Sequence, residues 1–428
     1  MSRYELSELP SGERVVSERV RGVRSVALGL WIGTGSRDEP ASRAGVTHFL
    51  EHLLFRGSAR YTALEIAEAF DTLGGELNAA TSRETTVVYA RVPDAHLETA
   101  LDVMADMVYR PTLADVDLER EVVLEEIAMV ADTPSDRVHD LASEAVFGAH
   151  PLGRPVIGSA DVVSAISRRA LAAYHARAVV PERIVLAAAG RVAHERLVEL
   201  FRERVGERRP ALNGLRRQPL RRLPAPSLRF LEKETEQVHV CLAGPGIPRG
   251  DERRFAAAVL DAIVGGSASS RVFQEVREKR GLAYSVYTYA SQYEETGQVG
   301  LYLGTREEHL EECLEVVVSC LADVVAGNVS KHELARAKEH LEGRLLLSLE
   351  STASRMTRLG EALATGVPIL DPADIVRRTR AVTVADVVEA AADLLDPSRL
   401  SVAGIGPHEE AFRAAVGAVR PELLAEAA

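Results

Sequence analysis

What most constrains the fold of this chain is that it carries one pattern of elements twice. Apolar strands run from Ser25 to Trp31 and again from His239 to Ala243. The stretch Ala67 to Leu73 followed by Gly74 parallels Phe273 to Arg280 followed by Gly281, and Glu84-Thr85 before a strand parallels Glu295-Thr296 before Val299 to Leu303. The offset stays near about 210 residues, so the halves read as diverged copies of one unit. Between them, Glu203 to Pro226 breaks the periodicity with Arg208, Arg209, Pro210, Asn213, Gly214, Arg216, Arg217, Pro219, Arg221, Arg222, Pro224 and Pro226. This stretch reads as a solvated linker that packs across both halves, in preference to a docking site for an acidic partner. The expected division is a domain over 1–205, a linker over 206–226 and a second domain over 227–428. Each half reads as α+β, an antiparallel-rich sheet with helices packed on one face. Helical patterns at Leu97 to Val108, Leu171 to Tyr174, Glu308 to Val325, Lys331 to Leu347 and Val384 to Leu394 fit this.

One half contains a feature that the other lacks. In His48-Phe49-Leu50-Glu51-His52 the two imidazoles stand one helical turn apart, on the same face of a helix with about 3.6 residues per turn, and Glu51 sits beside them. The flanking Gly45-Val46-Thr47 and Leu53-Leu54-Phe55 make the helix largely apolar, and Gly57 is a plausible stop. Two imidazoles and a carboxylate buried there need compensation, which a divalent cation provides. The competing reading is a chance match among 12 histidines in 428 residues. In the second half the equivalent helix falls over Val259 to Gly265, which has no histidine, so one metal site per chain is expected.

A catalytic zinc takes three protein ligands and keeps a fourth position for water. Asp115 to Met129 reads as a helix that ends before Pro134, and at about 100° per residue Leu118, Glu119, Val122, Val123, Glu126, Ile127 and Val130 fall on one apolar side. Glu121 and Glu125 fall opposite, with Asp117 and Arg120. Glu119 and Glu126 are therefore the acids forced inward, two turns apart. Glu126 is the expected third ligand, and Glu119 the carboxylate that orients a ligand or tunes the water. The alternative is that both pair with buried arginines.

These residues carry a family resemblance. His48-x-x-Glu51-His52 followed by Glu119-Arg120-Glu121-Val122-Val123-Leu124-Glu125-Glu126 resembles the pitrilysin superfamily of zinc peptidases, the inverzincins, which includes insulin-degrading enzyme and mitochondrial processing peptidase. The resemblance implies a processing-peptidase-like metallohydrolase fold, zinc held by His48, His52 and Glu126, and Glu51 as general base. The segment Leu73 to Thr81 followed by Thr85 to Val92 reads as a turn feeding a strand pair, and the resemblance implies that its edge strand aligns substrate by adding it as a further strand, with Asn78 and Ala79 at the pairing positions. An ordinary hairpin is the plainer reading. In the second half, Arg277 and Tyr284 match a family Arg and a Tyr seven residues on. They imply an anchor for the substrate main chain and a donor to the developing oxyanion; alone, Arg277-Glu278-Lys279-Arg280 reads as a solvated helix face. His150-Pro151-Leu152-Gly153-Arg154-Pro155 resembles a family loop and reads as structural.

A chain this short resembles family members that work as pairs around a closed chamber, so a homodimer with Arg277 and Tyr284 acting in trans is expected. The implied activity is zinc-dependent endopeptidase cleavage of peptides or unfolded segments. The rival is a non-catalytic peptide-binding or assembly subunit, although such relatives carry damaged zinc motifs. A subunit dependent on a paralogous partner is a third reading, disfavoured because this chain holds both the zinc set and the Arg and Tyr.

Composition narrows the setting. A hydrophobic content of 46% suits large cores, and no window reaches the roughly 18 apolar residues of a membrane span. Without the basic and apolar regions of a signal peptide at its start, the chain is expected in the cytoplasm. Its net charge of -12 argues against nucleic acid as a partner. Cys241, Cys313 and Cys320 are too few for a disulfide framework, and Cys313 and Cys320, seven apart on an apolar helical pattern, read as core residues rather than metal ligands.

Overall fold

The computed structural model describes residues 4–206 and 214–425; Met1 to Arg3 and, in the expected linker, Arg208, Arg209, Pro210 and Asn213 lie outside them. Six strands form the first sheet: β1 Tyr4–Glu8, β2 Arg14–Arg19, β3 Ser25–Ile32, β4 Glu76–Thr81, β5 Thr86–Pro93 and β6 Ile184–Gly190, in the order β1-β2-β6-β3-β5-β4. Only β2 and β6 pair in parallel. Central β3 and β6 are continuous apolar runs because both faces of the sheet are covered. Val26, Leu28, Leu30, Leu186 and Ala188 enter the core that also holds Leu101, Met104 and Val108. Ala27, Trp31, Val185, Ala187 and Ala189 face the other way, against Met356 and Leu359.

The second sheet is β7 Leu228–Glu232, β8 Val238–Gly246, β9 Ala283–Gln292, β10 Gly297–Thr305 and β11 Ser401–Gly406, ordered β7-β11-β8-β10-β9, with β7 and β11 parallel. Set β1 aside and the two orders coincide strand for strand. The duplication read from the sequence is thus a duplication of topology. Both copies turn into their edge strand through a left-handed glycine, Gly74 at φ 59° and Gly281 at φ 64°. The preceding helix is α-helical in the first copy but π-helical over Phe273–Glu278 in the second.

Each sheet completes its burial with a helix from the opposite half of the chain. One compact unit comprises 1–128, 155–218 and 346–372, the other 129–154, 219–345 and 373–428. Helices of the same half cover one face, as expected. The opposite face of the first sheet is covered by Thr352–Ala364, and the second sheet carries α5, Pro134–Phe147, against β8 and β11. The contiguous division at 205 and 226 follows the chain, whereas the units follow burial. The Thr352–Ala364 helix lies close to the sheet: a Cβ on Gly360 would come within 2.0 Å of Trp31 Nε1, and one on Gly29 within 2.4 Å of Met356 Sδ. Glu18, buried on β2, pairs with Arg355 and Arg358 of that helix.

The described part of the linker is packed. Leu215 is buried with Phe49 and Leu53, and Arg217 Nη2 donates to Asp38 Oδ2 at 3.2 Å and to the Glu84 carbonyl at 3.3 Å. Arginine-rich composition made it look solvated, but buried acids on the first unit take up its charge. Among the described residues no helix is long and apolar enough to cross a membrane. Cys241 and Cys313 are buried and unpaired, Cys320 is half-buried, and burial pushes the Cys241 thiol up to about 12.

Candidate metal centre

Ahead of α5 in the chain come α1 Val46–Leu54, α2 Ala63–Leu73, α3 Leu97–Tyr109 and α4 Val116–Ala131. The short α1 is anchored at its start. Gly45 caps it at φ 93°, where a Cβ would meet the Ile157 carbonyl oxygen at 2.6 Å. The buried Glu39 carboxylate accepts from the N–H groups of Gly45 at 2.7 Å and Thr47 at 2.8 Å, placing negative charge at the positive end of the helix. Val46, Phe49, Leu50, Leu53 and Leu54 are buried, and this holds the two histidines on one face with ring centroids 4.7 Å apart.

From α4, Glu126 Oε2 lies 3.2 Å from His52 Nε2 and 3.5 Å from His48 Nε2. The three donor atoms lie within 4.8 Å of one another. Two imidazole nitrogens and a carboxylate oxygen suit zinc or a similar first-row cation, and the outer contacts fit too. His52 presents its other nitrogen, Nδ1, to Glu119 Oε1 at 2.9 Å, which fixes the ring, and Glu119 also pairs with Arg56. Glu119 thus contacts both a histidine of the cluster and the half-buried Arg56. His48 Nδ1 is buried without a hydrogen-bond partner among the described residues, so that ring is held by packing and by its Nε2 contact with Glu126. Hydrogen bonds from His48, then His52, hold the Glu126 carboxyl well below the usual carboxylate range. His52 is raised in turn, chiefly by Glu126.

The exposed side of α4 differs from expectation. Val116, Glu119 and Val123 are buried, but Leu118 is 59% and Val122 42% exposed, with Glu121 and Glu125 exposed as anticipated. The helix touches its neighbours along a strip narrower than the sector drawn from periodicity. That strip contains both Glu119 and Glu126.

Glu51, half-buried on α1, accepts a hydrogen bond on Oε2 from the Thr81 hydroxyl at the end of β4. Strand β4 is the terminal strand of its sheet, pairing with β5 on one side only, and α1 packs against it. Asn78 is exposed on β4 and its side-chain oxygen accepts from the N–H of Ala79, which is half-buried. Thr81 and Glu39 were given no role from the sequence; a threonine ending a strand and a glutamate in a loop have no local signature of such contacts.

Arg277 and Tyr284 belong to the other compact unit. There they meet: the Arg277 guanidinium lies 4.5 Å from the Tyr284 ring centroid and 4.8 Å from that of Phe273. Ser285 opposes Gly304 and Ala283 opposes Thr305, so Tyr284 is the extra residue of a β-bulge. A bulge re-aims its side chain, and Tyr284 stands 76% exposed. The solvated-face reading applies to its neighbours, since Lys279 and Arg280 both pair with Glu275. His150 Nδ1 accepts from the Leu152 N–H, a loop contact as expected.

Comparison with known proteins converges on one family. A family model described as Insulinase (Peptidase family M16) matches residues 14–160, which include the whole cluster of histidines and acids, and one described as Peptidase M16 inactive domain matches 165–341. A protein of Streptomyces coelicolor named an uncharacterized zinc protease is 42% identical over 93% of this chain and 88% of its own length. One of Mycobacterium tuberculosis, with the same kind of name, is 43% identical over 94% and 92%. Among solved structures, a peptidase M16 inactive domain from Pseudomonas fluorescens superposes with a TM-score of 0.88 at 24% identity, covering 95% of this chain and 98% of that one. A protease from Helicobacter pylori gives 0.86 at 20%, covering 95% and 100%. These two speak to the fold alone. Matched by family models over most of its length, and by relatives across nearly all of it, this chain belongs to the M16, or insulinase, family of peptidases.

Proposed function

We propose that the protein is a zinc-dependent endopeptidase, with one zinc held by His48, His52 and Glu126 and with Glu51 as general base. The observation that carries this reading is the convergence of three ligand atoms beside Glu51, next to the open edge of β4. The chemistry zinc supplies when bound is polarisation of the scissile carbonyl and a lowered pKa for water. Glu51 takes a proton from that water as its oxygen bonds to the carbonyl carbon, then gives the proton to the amine nitrogen as the C–N bond breaks. Strand β4, around Asn78 and Ala79, aligns the peptide by main-chain pairing. Arg277 anchors the substrate main chain and Tyr284 donates to the oxyanion, both from a second copy of the chain in a homodimer that encloses the substrate. The cytoplasmic setting and the exclusion of nucleic acid as a partner belong to the same proposal.

The test is cleavage of an internally quenched peptide of about 20 residues, long enough to pair along a strand. Glu51→Gln is expected to retain zinc and lose roughly 100- to 10,000-fold in rate. His52→Ala loses the metal as well. Near-normal turnover by Glu51→Gln would sink the assignment.

A further inference from the structure

We propose that Thr81 is a positioning residue for Glu51, coupling the substrate-aligning strand to the general base; this rests on the peptidase reading above. Thr81 is the last residue of β4, paired opposite Thr86 of β5, and its hydroxyl donates to Glu51 Oε2. Its backbone thus belongs to the strand that carries Asn78 and Ala79, while its side chain reaches the base. Among the described residues no other hydrogen bond places the Glu51 carboxylate, whose helix is otherwise fixed by burial of its apolar face and by Glu39.

The chemistry favours a hydroxyl at this place. A carboxylate on a flexible side chain samples broad terminal rotations. A donor on one oxygen limits that rotation and leaves Oε1 for the proton of the attacking water. Once Glu51 is protonated, the same hydroxyl can turn and accept from the carboxyl, because a threonine oxygen serves as donor and acceptor alike. Thr81 therefore stays bonded to Glu51 through both halves of the proton transfer, uncharged and keeping its own proton on its oxygen. Any shift of β4 along its length would move this contact, so the strand that aligns the peptide also sets the place of the base.

Two readouts test this, one independent of catalysis. In the metal-free protein, the melting-temperature changes of Thr81→Val and Glu51→Ala are expected to be non-additive, because each alone removes the same contact; additive changes would overturn the proposal. In the zinc-loaded protein, Thr81→Val is expected to lose roughly 10- to 100-fold in kcat, the scale of one hydrogen bond to a charged group. KM and zinc content stay within about twofold by the same argument, and Thr81→Ser restores most of the rate. A change confined to KM, or a Ser variant as slow as Val, shows that Thr81 acts through strand geometry and overturns the coupling to Glu51. If wild type cleaves nothing while the metal-free changes are non-additive, the contact stands and the peptidase reading fails, taking the catalytic role of Thr81 with it.

Discussion

Glu333 does two jobs with one carboxylate. It receives Arg271 Nε at 2.8 Å and Nη2 at 3.1 Å, and it accepts from the Ser330 N–H at 3.0 Å while the Ser330 hydroxyl accepts from the Glu333 N–H at 3.1 Å. Burial pushes its carboxyl up, but the hydrogen bonds from Arg271 and Ser330 outweigh that and bring it down to about 2. A carboxyl lowered on folding stabilises above its unfolded value and loses that contribution as pH falls through the folded one. The melting-temperature gap between wild type and Glu333→Gln is therefore expected to be full at pH 6 and to close between about 4.5 and about 2; a gap that persists undiminished toward the lower limit contradicts it. At this scale the sequence is legible where the periodicity of a single helix sets the answer. His48 and His52 share a face by spacing, and the inward direction of Glu119 and Glu126 follows from theirs. Thr81 and Glu39 are not legible, since their partners are fixed by how separate elements meet.

Elements were read unevenly for a comparable reason. Strands β3 and β5, the helix Leu97–Tyr109 and the helix Val384–Leu394 follow from apolar runs and period. Two helices that matter most to the architecture, α5 and Thr352–Ala364, were not anticipated. Thr352–Ala364 buries only Thr352, Met356, Leu359 and Gly360, a sparse pattern among arginines and hydroxyls, and its partner strands lie far back in the chain. Its glycine is decisive. Alanine is the better helix former by about 1 kcal/mol, so propensity alone predicts that Gly360→Ala stabilises. The 2.0 Å approach to Trp31 predicts the reverse, a loss on the order of 1–3 kcal/mol from overpacking, read by chemical denaturation. A more stable Gly360→Ala protein would show that the helix can shift away at little cost. The bulge at Tyr284 and the π-helix before it were equally unreadable, because both are defined by register against a neighbour.

For the whole molecule, the duplication was legible and the sharing of helices between halves was not. A linker between similar halves invites a division at the linker, whereas the compact units draw on both. The proposed assembly has its own test. When a Glu51→Gln chain and an Arg277→Ala chain exchange subunits, mixed dimers recover activity if Arg277 serves a site on the other chain, because one of the two sites then has both residues intact. No recovery after confirmed exchange excludes action in trans.

The covering of Trp31 also has a consequence for biosynthesis. Strands β2, β3 and β6 are complete once Gly190 has been made, yet the helix that seals one face of their sheet ends at Ala364. As the chain leaves the ribosome, the first sheet must wait, with Trp31, Ala27 and Val185 uncovered, through the synthesis of most of the second half. Folding of the amino-terminal copy therefore finishes late. The sole tryptophan sits on the waiting surface, so its emission reports when the last piece arrives.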